Sequence, residues 1–128
     1  MKRATFLTFA AMIALAVGTF ALTFPALLLE SKGVIPNLAT QLWMRETGIL
    51  LMALGGINWS MRNNDDSTTL SWLLLVNIGV QAGLFVMEAF GYADGVISKL
   101  SGVAPNLSLH MLLASGFIYF LLKLPKRG

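Results

Sequence analysis

The chain has 128 residues, of which 56% are hydrophobic and 12% charged, and it contains no cysteine. A water-soluble domain of this size cannot hide so much apolar surface, and without a thiol neither a disulfide nor thiolate chemistry is open to it. The formal charge of +3 does not signal nucleic acid, because the basic residues stand at the ends of apolar runs rather than among aromatics in a groove-like patch.

Four apolar runs cover about residues 4–29, 38–61, 69–91 and 105–123. Each is near the roughly 20 residues that cross about 30 Å of hydrocarbon. The expectation is an all-α polytopic membrane protein, one domain over residues 1–128 folded as a four-transmembrane-helix bundle.

Lys2 and Arg3 precede the first run, a pattern shared with signal peptides, and Ala14-Leu15-Ala16 offers a cleavage pattern. The apolar stretch continues to Leu29, however, so a retained spanning helix fits better. Thr5, Thr8, Thr19 and Thr23 fall within about 60° of one another in helical projection and predict an inward, hydroxyl-bearing side.

The connection after this run contains Gly33-Val34-Ile35-Pro36-Asn37-Leu38, echoed later by Gly102-Val103-Ala104-Pro105-Asn106-Leu107, with five identities in six. One reading is local: proline turns the chain and Asn37 or Asn106 caps the helix that follows. The other is a duplication of two related helical hairpins, parallel rather than inverted.

The second run brings Gln41, Arg45 and Glu46 into a span, where each ionisable group costs about 2.5–3.5 kcal/mol on insertion scales. The uncharged remainder from Thr47 to Met61 is only about 22 Å long. Arg45 and Glu46 must therefore enter the membrane near one end.

In the third run Asn77, Gln81 and Glu88 lie within about 40° of one another and form one polar stripe. Glu88 reaches the level of Gln41, Arg45 and Glu46, and an Arg45–Glu88 ion pair is the economical arrangement. Gly79-x-x-x-Gly83, like Gly56-x-x-x-Ser60 in the second run, permits close helix packing. It serves either a homodimer or contacts within the chain.

The fourth run adds His110 at the same level as Glu88. Met44, Met87, His110 and Met111 could be drawn as a soft metal site, but methionine in such a chain is more often packing, so no metal is expected. Trp43, Trp59 and Trp72 sit near span ends, where aromatic belts belong.

Three readings of the polar cluster compete. It is interhelical glue, or a pocket in which Gln41, Arg45, Glu46, Asn77, Gln81, Glu88 and His110 hold a small ligand or lipid headgroup, or a proton relay through Glu88 and His110. No phosphate loop, nucleophile elbow or metal-protease motif is present. No catalytic residue and no cofactor are expected, and a haem held by two histidines would need a dimer interface.

Lys2, Arg3, Arg62, Lys123, Lys126 and Arg127 gather on one side of the predicted topology, against Lys32 and Lys99 on the other. That asymmetry predicts cytoplasmic termini.

The order of features runs from a Pro-ended first helix through Arg45-x-x-Gly48 and Trp59-x-x-Arg62 to Phe117-Ile118-Tyr119-Phe120. It resembles small bacterial four-helix membrane proteins of the DoxX-like kind over most of the chain. The resemblance implies a four-helix bundle in a cell inner membrane and carries over no catalytic residue. The functional expectation is a non-enzymatic membrane protein that binds a small apolar or lipid-like ligand, or a membrane-protein partner, at an outer polar pocket. The alternative is a small transporter or channel subunit acting as an oligomer. Expected partners are the lipid bilayer, such a ligand and a second copy of the chain, with no nucleic acid.

Overall fold

The computed structural model describes residues 1–125, so Lys126 and Arg127 lie outside it. Its order is α1 (Arg3–Thr23), α2 (Pro25–Ser31), α3 (Leu38–Met61), α4 (Thr68–Ala93) and α5 (Leu100–Leu122). Three of these, α1, α4 and α5, are long and apolar enough to cross a membrane. The expected count was four. The difference lies in α3, which has 24 residues but opens on Gln41, Arg45 and Glu46.

The first apolar run is not one helix. Proline lacks the amide a continuing helix needs and drives the preceding residue out of helical conformation. Phe24 accordingly leaves it, with φ −127° and ψ 53°, and Pro25 begins α2. The chain bends there, and the short α2 carries Lys32 back over the end of the bundle.

Helices pack in two pairs, α1 on α3 and α4 on α5. Glycine allows the first contact: a Cβ on Gly48 would lie 2.7 Å from the Gly18 carbonyl oxygen, and one on Gly55 would lie 3.0 Å from that of Ala11. A Cβ added at Gly56, Gly79 or Gly83 would meet nothing within 4 Å beyond its own stretch of helix, so the Gly79-x-x-x-Gly83 spacing serves no packing within the described residues.

The two pairs join at one end through Phe6, Leu7, Ala10, Leu70, Leu74, Leu113, Phe117 and Phe120, which form the core. Phe6 meets Phe117 edge-on with ring centroids 4.9 Å apart. Arg3 lies at this end, paired with Asp66 and donating to the Asn64 carbonyl at 2.6 Å. At the opposite end Ser98 Oγ donates to the Gly33 carbonyl at 3.0 Å, and Lys99 Nζ donates to that of Glu30 at 3.0 Å. The bundle thus has an Arg3 end and a Lys32 end.

The repeated hexapeptide adopts two different structures. Its first copy is a turn through Gly33, at φ +76°, followed by an Asn37 cap: Asn37 Oδ1 accepts from Thr40 N, and Thr40 Oγ1 accepts from Asn37 N, both at 2.9 Å. The second copy lies inside α5, which starts at Leu100 and runs through Pro105. Asn106 therefore caps nothing, contrary to the local reading. Outside, Trp43, Trp72, Met87, Phe90 and Leu112 are all exposed, a surface suited to lipid rather than water.

Candidate functional site: a central cavity with a polar end

One face of each long helix turns toward a cavity of about 420 Å³. From α4 come Asn77, Gln81, Leu84 and Glu88, and from α3 Met44, Thr47, Leu51, Leu54 and Asn58. α1 contributes mainly Ala10, Ile13, Ala14, Val17 and Phe20, and α5 contributes Asn106, Leu109, His110, Leu113 and Phe117. These spacings of three and four are those of helix faces. The eleven-residue step from Asn77 to Glu88 makes the lined stretch about 16 Å long.

Its lining includes an amide pair. Asn58 and Asn77 are 1% and 0% exposed. Asn58 Nδ2 donates to Asn77 Oδ1, and Asn77 Nδ2 to Asn58 Oδ1, both at 3.0 Å. Asn77 Nδ2 also donates to the Leu73 carbonyl at 2.9 Å. Beside lipid an unmade hydrogen bond is costly, and mutual satisfaction of two amides removes that cost.

One turn higher, His110 Nδ1 lies 2.7 Å from Gln81 Oε1. An amide oxygen only accepts, so Nδ1 carries the proton and the neutral ring is left with an accepting Nε2.

At the top, Glu88 Oε1 is paired with Lys32 Nζ and accepts from Asn106 Nδ2 at 3.1 Å. Lys32 and Glu88 side chains are 12% and 16% exposed, which makes the pair a largely desolvated one whose members depend on each other. Glu88 Oε2 is buried and accepts no hydrogen bond from any of the described residues.

Of the residues singled out from the sequence, Asn77, Gln81, Glu88 and His110 meet in this cavity. Gln41, Arg45 and Glu46 do not line it; Gln41 is half-buried and the other two are exposed. The anticipated Arg45–Glu88 pair is replaced by Lys32–Glu88. Helix rotation explains this, since Met44 and Thr47 face the cavity and each following residue turns by about 100°. The threonine side of α1 is likewise not inward: Thr5, Thr19 and Thr23 are exposed, and Thr23 Oγ1 donates to the Thr19 carbonyl at 2.7 Å. Met87 and Met111 are exposed and do not join Met44 and His110 at the cavity. No group of three or more His, Asp or Glu residues able to hold a metal occurs among the described residues.

Lys32, Asn58 and Asn106 were not among the site residues expected from the sequence. Asn58 carried a usable signal, a lone amide in an apolar run. Lys32 and Asn106 carried none, because the first depends on the bend at Pro25 and the second on where α5 begins.

Comparison with protein-family models, curated proteins and solved structures found no match to this chain.

Proposed function

We propose that this chain is a non-enzymatic membrane protein that holds a small apolar or lipid-like ligand in its central cavity, with α3 crossing the bilayer beside α1, α4 and α5. The observation that carries this reading is the form of the cavity: apolar along the walls, about 16 Å long, with the bonded group Lys32, Glu88 and Asn106 at its Lys32 end. Its volume of about 420 Å³ falls within the range of small-molecule sites, which combine apolar walls with a few polar groups that orient the ligand. A bilayer supplies such ligands at high local concentration. Lateral access fits the architecture, because α3 and α4 are not a closely packed pair.

The charge asymmetry supports an inner-membrane placement with both termini cytoplasmic and the Lys32 end outside. A four-span arrangement also agrees with the DoxX-like resemblance of the sequence. The alternative, an oligomeric transporter or channel subunit, requires a polar route past Leu7, Leu74, Phe117 and Phe120, which fill the Arg3 end.

The test is thermal unfolding of the purified protein in lipid nanodiscs with added single-chain amphiphiles. A ligand held only by the native state raises the midpoint with concentration. Ala14→Phe, which fills the cavity wall, should remove that response. A response unchanged by Ala14→Phe, or none with any amphiphile, would overturn the reading.

A further inference from the structure

Resting on that reading, we infer that the cavity selects a single-chain lipid whose head is an uncharged hydroxyl, held between Glu88 Oε2 and Lys32 Nζ.

The inference starts from the unused hydrogen-bonding capacity around one point. Glu88 Oε2 is a buried acceptor with no donor among the described residues, and its partner oxygen is already engaged by Lys32 and Asn106. An ammonium has three donors, and Lys32 uses one of them, on Glu88 Oε1. A head group seated here therefore meets an acceptor in want of a proton and a donor with protons to give. A hydroxyl satisfies both, since it donates one hydrogen bond and accepts others. An ammonium head only donates, and a carboxylate or ether only accepts.

Charge points the same way. Lys32 and Glu88 already neutralise each other, and the Gln81 contact holds His110 as a donor at Nδ1 with an accepting Nε2 when neutral. A charged head would bring an uncompensated ion into a weakly solvated site, where such a charge is heavily penalised. A neutral head leaves the balance intact. Below it, Leu84, Leu109, Leu54 and Ile13 offer an unbranched tail an apolar wall as far as the Asn58–Asn77 amides.

Four probes with the same tail separate these cases in nanodiscs: dodecanol, dodecyl methyl ether, dodecanoate and dodecylamine. Dodecanol should stabilise the wild type at roughly tenfold lower concentration than the ether, the return expected of a hydrogen bond to a charged group. Both ionised probes should be weaker than the alcohol. In Glu88→Gln the carboxylate is gone and Lys32 is unpaired, so the alcohol's advantage should shrink and dodecanoate should gain. Should Glu88→Gln fail to fold, Asn106→Leu serves as the second variant: it leaves the ion pair and should preserve the alcohol's lead. Equal responses to alcohol and ether, or a preference for either ion in the wild type, would overturn the head-group inference while leaving a cavity ligand standing. Loss of all four responses would instead remove the reading beneath it.

Discussion

Asn58 of α3 and Asn77 of α4 exchange two amide hydrogen bonds of 3.0 Å across a pair of helices that otherwise stand apart. Each amide is satisfied by the other, so the pair acts as a unit. Asn77→Leu should cost about 1–2 kcal/mol, because Asn58 is then left buried without its partner. Asn58→Leu with Asn77→Leu should cost less than the two single changes added together. Reversible unfolding in mixed micelles of all four proteins measures the coupling, and strict additivity would contradict it.

A similar asymmetry governs Lys32. Lys32→Met strands the Glu88 carboxylate and should destabilise the fold by roughly 2–4 kcal/mol, somewhat under the loss for a fully buried pair. Adding Glu88→Gln should recover part of that loss. Arg45→Ala, by contrast, should change stability by no more than about 0.5 kcal/mol, as for an exposed side chain away from structural contacts. Thermal melts that rank Arg45→Ala above Lys32→Met would restore the pairing first expected from the sequence.

Two glycines on neighbouring helices should behave oppositely. Gly48→Leu drives a side chain into the Gly18 backbone and should cost about 1–3 kcal/mol, as overpacking does. Gly79→Ala meets open space and should be neutral, or stabilising by up to about 1 kcal/mol through helix propensity. Unfolding midpoints of the two variants decide it.

The cysteine-free chain suits topology mapping by single introduced thiols. Ile35→Cys and Asp94→Cys should react with an impermeant maleimide from outside intact cells, and Asp65→Cys only after lysis. If α3 did not cross, residues 35 and 65 would label together. That pattern would reduce the spans to three.

How far the sequence reveals this arrangement depends on the range of the interaction. The polar stripe of Asn77, Gln81 and Glu88 is legible because helical period alone sets it, and the bounds of α3 are legible because Asn37 and Thr40 form a local capping box. Glu88's partner is not legible. Composition offered Arg45, but the bend at Pro25 delivered Lys32 from a connection 56 residues earlier in the chain. The threonines of α1 misled for a related reason: a hydroxyl can satisfy itself on the carbonyl one turn back, as Thr23 does on Thr19, and so need not face inward. The two hexapeptides show the same limit, since near-identical residues form a turn in one place and a helix in the other.

On the proposed reading, a tail whose head sits at Glu88 would run about 16 Å along α4 to the level of Asn77, and Phe6, Leu7 and Phe120 fill the bundle at the Arg3 end. On that reading the cavity would act as a ruler as well as a receptacle. Chains that stop short would leave volume unfilled, and longer ones would have to fold back or emerge between α3 and α4, so the protein would sort amphiphiles by length with side chains that touch only the tail's last carbons.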